Sequence, residues 1–409
     1  MYREISHCRI SCSSNLVNVL SLGEQYLTGV FPTSRDQQVT KGPMDMVWCP
    51  DSGLVQMKQS YGLDEMYGDN YGYRSGLNQS MVNHLQNKVN TLLRKVQLSP
   101  NDIILDIGSN DATSLKCYPS NLRRIGIDPT GKKFKKYYTD DIKLVPDFFT
   151  RHNFRNIFPD EKAKIVTSIA MFYDLEDPVK FVSDIEAVLA DDGIWHFEQS
   201  YLPSMLRANS YDTICQEHLE YYSLISVKYI LDKCGMKIVD IELNDINGGS
   251  FAVTAAKWGS KHKQNNAVIN WMLEEEEKMG LNTEKPYRHF AERVKEHRTS
   301  LLSLLEKIKN DGRKIIGYGA STKGNVLLQY CGISTQYLEC IAEVNEQKFG
   351  SYTPGTLIPI VSEAESRAMK PDYMFVLPWH FRNNILQREK EFREGGGKFI
   401  FPLPYIEIV

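Results

Sequence analysis

The chain has 409 residues, 42% of them hydrophobic and 24% charged, with 48 Lys and Arg against 51 Asp and Glu for a net charge of −3. That balance argues against a nucleic-acid partner, no apolar run reaches the ~18 residues of a membrane span, and the length predicts two to three domains. The opening Met1-Tyr2-Arg3-Glu4-Ile5-Ser6-His7 lacks the apolar core of a signal peptide, and eight cysteines in so long a chain are no disulfide scaffold. A cytoplasmic protein with no nucleic-acid or membrane partner is expected, as a monomer or homodimer.

Three blocks differ in texture, and no repeat at a period of 20–50 residues is visible. Residues 1–76 hold three of the eight cysteines, many turn residues and short apolar runs. They predict a small loop-rich module whose core needs a metal or a neighbour. Residues 77–258 alternate helix and strand patterns. Met81, Leu85, Val89, Leu92 and Leu93 predict a helix over 80–96, and buried strands are predicted over 102–107, 124–128, 164–170, 193–198 and 237–244. Strands separated by helices predict a parallel sheet covered on both faces. Residues 259–310 read as a charged helical linker, with Glu274-Glu275-Glu276-Glu277 as a solvated face. Residues 311–409 predict a second α/β unit, with strands over 313–318, 338–342, 373–377 and 398–401.

The segment Asp106-Ile107-Gly108-Ser109-Asn110-Asp111 follows the first strand of the middle block and precedes a predicted helix. Ligands of open α/β sheets bind outside the carboxyl ends of strands, and glycine there lets a ligand approach the backbone. Twenty residues after Gly108 the next strand ends in Asp128, whose carboxylate suits the two hydroxyls of an adenosine ribose. A nicotinamide dinucleotide would need Gly-x-Gly-x-x-Gly, but Asn110 and Thr113 stand at its second and third glycine positions. S-adenosylmethionine carries no phosphate, and its cationic groups are served by Asp106 and nearby carboxylates, so it is the predicted cofactor. Asp147-Phe148-Phe149 follows a third strand; either Phe148 packs on adenine while Asp147 accepts from its amine, or the phenylalanines are a core pair.

Beyond these features, the chain resembles over essentially its whole length the sugar-nucleotide C-methyltransferases, which methylate C-3 of 4-keto-deoxyhexoses. The likeness runs through Cys8-Arg9-Ile10, Leu22-Gly23-Glu24-Gln25 and Cys49-Pro50-Asp51-Ser52-Gly53-Leu54-Val55-Gln56. It continues through the Gly108 loop, Asp212-Thr213-Ile214, Glu217-His218-Leu219 and Tyr222-Ser223-Leu224. In the last block it takes in Gly317-Tyr318-Gly319-Ala320, Lys323-Gly324-Asn325 and Tyr352-Thr353-Pro354-Gly355-Thr356. The resemblance implies an α/β protein in three parts. These are a zinc-ribbon-like module, a class I methyltransferase Rossmann-like domain and a second, C-terminal Rossmann-like domain that helps hold a nucleotide-diphospho-sugar.

Transfer of a methyl group to carbon needs a carbanion equivalent, which a neighbouring ketone makes accessible as an enolate. The resemblance implies His218 as the base for that proton, with Glu217 as its orienting or sugar-binding partner. A stretch matching Tyr71-Gly72-Tyr73-Arg74-Ser75 reaches the same site in the family, so Tyr73 or Tyr71 is the candidate donor to the enolate oxygen. Tyr173 is a further candidate, because it falls in a run where relatives carry a histidine. By the same analogy Lys323 and Asn325 hold the nucleotide-sugar, with Trp379 and His380 as weaker candidates. Asn247 stands where relatives often carry His, and Cys215-Gln216 where they carry Tyr-His; Cys215 reads as a wall of the pocket. The family's four zinc cysteines are reduced here to Cys8, Cys12 and Cys49, with Ser52 at the fourth position and His7 as a conceivable replacement. Two rival readings remain: methylation of oxygen or nitrogen on a nucleotide-sugar, and a catalytically degenerate nucleotide-sugar-binding protein.

Overall fold

The computed structural model describes residues 2–62, 66 and 74–409. Its N-terminal part is antiparallel: β1 (Tyr2–Glu4) pairs with β5 (Gln59–Tyr61), while β2 (Val17–Tyr26), β3 (Lys41–Trp48) and β4 (Val55–Met57) form a sheet. The β2–β3 register shifts between Ser21 and Glu24, where Gly23 takes φ +73 and lets the strand bulge. The fourth strand of that sheet, β11 (Glu220–Tyr221), comes from the middle of the chain. The module's core does not close on itself. Met46 and Trp48 share one buried cluster with Tyr287, Leu301 and Ile316, and the Trp48 and Tyr287 rings lie 5.1 Å apart. The neighbour that so small a module needs is therefore the rest of the chain.

The middle sheet holds β6 (Ile103–Ile107), β7 (Arg123–Ile127), β8 (Ile142–Val145), β9 (Ala163–Ile169), β10 (Leu189–Ser200), β12 (Met236–Asn244) and β13 (Ser250–Lys257). They lie in the order β12-β13-β10-β9-β6-β7-β8, parallel except for β13, which runs antiparallel to both of its neighbours. Every residue of β6 is buried, as a strand covered on both faces requires. The order reverses between β6 and β9, so the carboxyl ends of these strands open a crevice. The helix Gln79–Lys95, capped by the Asn78 side chain on Ser80 N, packs beside it.

Two helices, Asn266–Lys278 and Lys285–Asn310, lead to the last domain. Here the acidic run departs from a solvated face. Glu276 is fully buried and accepts from Leu224 N at 2.6 Å, Ile225 N at 2.9 Å and Tyr201 Oη at 2.7 Å. It thus satisfies the free N–H groups at the start of the helix Leu224–Lys233, a tertiary role that the spacing of glutamates does not reveal. The C-terminal sheet follows the order β16 (Ile360–Ser362), β15 (Ile341–Glu343), β14 (Ile315–Tyr318), β17 (Tyr373–Val376), β18 (Lys398–Phe401) and β19 (Glu407–Ile408). All are parallel except β19. The protein is α/β, with a small antiparallel module, a Rossmann-like central sheet and a second parallel sheet. No described helix is long and apolar enough to cross a membrane.

Candidate active site

A cavity of about 1100 Å³ lies at the carboxyl ends of the middle strands and against the turn after β14. All three parts of the chain line it, with Phe31 from the first, Gly108, Asp128 and His218 from the second, and Lys323 and Lys348 from the third.

On one side stands the loop after β6. Gly108 takes φ +71, and a Cβ there would sit 3.0 Å from Met171 Cγ; Asn110 is also left-handed, at φ +49. Asp128 directly follows β7 and accepts from Asn110 N at 2.7 Å and from both N and Oγ1 of Thr130 at 2.6 Å, which fixes its carboxylate at the crevice. Burial pushes the Asp106 carboxyl up to about 7, against the 2.5 Å hydrogen bond donated by Thr167 Oγ1. A cationic ligand beside Asp106 would favour its ionised form. A bare loop, a fixed ribose-type carboxylate and a buried acid fit S-adenosylmethionine, which supplies an electrophilic methyl group when bound. Phe148 is 49% exposed and lines the cavity. Asp147 does not; its carboxylate accepts from Phe148 N and Asn153 Nδ2.

His218 lines the same cavity. Its Nδ1 donates to the Thr213 carbonyl at 2.8 Å, because a carbonyl can only accept, and this leaves Nε2 as the acceptor. Burial, and then the charge of Lys323, hold the imidazole down at about 4, so the ring is neutral near pH 7. The Tyr173 ring meets it edge-on, with centroids 4.5 Å apart. Burial pushes Glu217 up to about 7; its Oε2 accepts from Cys215 Sγ at 3.6 Å, and a side chain at Gly29 would collide with its Oε1. Tyr173, Cys215, Glu217 and His218 all line the cavity. Tyr71 and Tyr73 lie outside the described residues.

The C-terminal domain contributes Lys323, at the start of the helix Thr322–Cys331, whose Nζ donates to the Asn247 carbonyl at 3.2 Å. Lys323 and Asn247 both line the cavity. Asn325, Trp379 and His380 are not among the residues lining it. Asn325 is fully buried and donates to the Thr28 carbonyl at 2.8 Å, fastening the domain to the N-terminal module. Trp379 Nε1 donates to Asp212 Oδ2 at 2.8 Å. Burial, with Lys323 nearby, pushes His380 down to about 3.

One group at the site is absent from the sequence expectations. Glu198, near the end of β10, accepts from His84 Nε2 at 2.5 Å, from Lys88 Nζ at 3.0 Å and from Asn244 Nδ2 at 2.8 Å. Burial alone would raise this carboxyl, but the His84 hydrogen bond and the Lys88 charge prevail and hold it at about 2. The one available signal was that the strand predicted over 193–198 ends on an acid facing the crevice, with His84 and Lys88 one turn apart on the predicted helix.

The cysteines of the first module do not assemble as zinc ligands. Cys8 Sγ lies 3.3 Å from Ser52 Oγ, Cys49 Sγ lies 3.4 Å from Ser11 Oγ, and Cys12 is exposed at φ +63. Among the described residues, no group of three or more His, Cys, Asp or Glu side chains is placed to hold a metal. The reason is local: serine hydroxyls, poor zinc ligands, occupy the positions facing the two buried thiols.

Comparison with known proteins bears on the whole chain. A family model for a C-methyltransferase C-terminal domain matches residues 245–404, and one for a zinc-binding domain matches residues 8–67. C-methyltransferase NovU of Streptomyces niveus is 30% identical over 411 residues, spanning 100% of this chain and 97% of that protein. Among solved structures, magnesium protoporphyrin IX methyltransferase of Synechocystis PCC 6803 has 12% identity and a TM-score of 0.33, covering 48% of this chain and 92% of its own. An S-adenosylmethionine-dependent methyltransferase of Clostridium acetobutylicum has 9% identity and a TM-score of 0.33, covering 43% and 92%. With a relative matched from end to end and two domain models in order along it, the chain belongs to the S-adenosylmethionine-dependent C-methyltransferases.

Proposed function

We propose that the protein methylates C-3 of a nucleotide-diphospho-4-keto-6-deoxyhexose through an enolate, in the biosynthesis of a branched sugar. The observation that carries this reading is His218, a neutral imidazole whose Nδ1 is committed to Thr213 and whose Nε2 is left to accept, in the same cavity as Gly108 and Asp128. The C-3 proton passes to Nε2, and the C–H electron pair moves towards the C-4 oxygen as an enolate. The C-3 carbon is then ready to take the methyl group that S-adenosylmethionine, held by the Gly108 loop and Asp128, would supply, the pair of the broken C–S bond staying on sulfur. The growing enolate charge in turn favours the imidazolium, which the Thr213 carbonyl also stabilises, so a ring that is weakly basic at rest becomes a better acceptor as the proton moves. Lys323 and Asn247 would face the nucleotide-sugar, and the Gly108 loop with Asp106 and Asp128 would hold the methyl donor.

The test is to incubate the protein with S-adenosylmethionine and a panel of nucleotide-diphospho-4-keto-6-deoxyhexoses, and to look for a mass gain of one methyl. The position of the new methyl is then read by NMR. A methyl on C-3 supports the reading. A methyl on C-5, the other carbon beside the ketone, keeps the chemistry and corrects the position. Without cofactor, the α-hydrogen should exchange with deuterated water; a methylated product formed with no such exchange would favour transfer to oxygen or nitrogen.

A further inference from the structure

Gln199 is 1% exposed near the carboxyl end of β10, and neither its Oε1 nor its Nε2 has a hydrogen-bond partner among the described residues. A buried carboxamide with both ends unpaired is a standing free-energy cost, and buried polar groups in native proteins are otherwise almost always paired. Gln199 lines the cavity, so a ligand can relieve that cost. Its place in the sheet says which ligand. β10 lies two strands from β6 and three from β7, which at the usual strand spacing is about 10 Å and about 14 Å from the loop and the carboxylate assigned to the cofactor. β10 is instead the immediate neighbour of β9, whose chain runs on into Tyr173, the ring that meets His218 edge-on.

We propose that the Gln199 carboxamide binds the sugar at its reacting end, with Nε2 donating to the carbonyl oxygen that becomes the enolate oxygen and Oε1 accepting from a neighbouring hydroxyl. The inference rests on the enolate reading above and adds an uncharged donor for the oxyanion. An amide suits that task because it stands at the cavity wall already stripped of water before the charge appears. Its two-sided character also favours an acceptor that presents a carbonyl beside a hydroxyl.

The decisive variant is Gln199→Met, which keeps the length of the side chain and removes both polar ends, with Gln199→Leu as a second apolar variant that also lacks donor and acceptor. With wild-type exchange and methyl transfer in hand, both variants should lose about a hundredfold in kcat and a similar factor in α-hydrogen exchange without cofactor. The dissociation constant for S-adenosylmethionine should stay close to wild type, and the melting temperature of Gln199→Met should hold or rise, because the unpaired amide is gone. Unchanged kcat and exchange in Gln199→Met would overturn the proposal. So would weakened cofactor binding with exchange intact, because Gln199 would then belong to the methyl donor. Failure of the underlying reading would show separately, as absence of exchange in the wild-type protein.

Discussion

His218 and Thr213 are joined by a 2.8 Å hydrogen bond from the ring Nδ1 to the backbone carbonyl five residues earlier, and that bond decides which nitrogen is free to accept a proton. His218→Ala should lower kcat by about 10²- to 10⁴-fold, the usual contribution of a general base. Calorimetry should find S-adenosylmethionine binding unchanged, since the ring packs on Thr213 and Tyr173 and not on the loop assigned to the cofactor. Near wild-type turnover would remove the imidazole from the reaction.

Glu217 gives a prediction in pH. Burial pushes its carboxyl up to about 7 from an ordinary 4.5. Between those values the folded protein keeps a proton that the unfolded chain has released. Stability therefore falls as pH rises from 4.5 to about 7, and then levels off. Glu217→Gln has no such proton to lose. It should be more stable than wild type above pH 7, by about 1–3 kcal/mol, with the gap closing towards pH 4.5. Melting curves of both proteins across that range check it; a gap that does not change with pH would contradict the assignment.

Asp128 and Asp147 were both expected to hold the cofactor, and their surroundings now separate them. Asp128→Ala leaves Asn110 N and Thr130 N without their acceptor and takes a carboxylate from the cavity wall. It should weaken S-adenosylmethionine binding by about tenfold or more, the scale of hydrogen bonds to a charged group. Asp147 is exposed and turned to Asn153, so Asp147→Ala should bind the cofactor like wild type in the same titration.

Ser52 lies 3.3 Å from Cys8 Sγ, close to the ~3.8 Å between two sulfurs on a tetrahedral zinc. Ser52→Cys should therefore bind zinc more tightly than the wild-type protein and gain thermal stability that a chelator removes. Metal content after dialysis and melting with and without chelator measure it. Equal zinc affinity in the two proteins would show that the serine is not what limits the site.

The sequence carried the features that local pattern can carry. Ile103–Ile107 was legible because a parallel strand is apolar on both faces, and Gly108 and Asp128 because they end adjacent strands of such a sheet. β13 was not foreseen: Phe251-Ala252-Val253-Thr254-Ala255-Ala256 is a short run of mixed preference that fits helix or strand equally well. The His84–Glu198 pair is separated by 114 residues and exists only because the helix Gln79–Lys95 lies over the end of β10. Glu276 looked like one of four solvated glutamates because its partners, Leu224, Ile225 and Tyr201, are remote in sequence. Asn325 sits in a motif suited to a ligand, yet its amide fastens two parts of the chain together.

The N-terminal sheet takes its last strand from Glu220–Tyr221, two residues beyond His218. The His218 imidazole is therefore hung from the far module as much as from the central sheet. A chimaera that exchanged the first 76 residues for those of a relative would re-anchor the segment carrying the imidazole, and should change which sugars are accepted even though every lining residue of the central domain stayed the same.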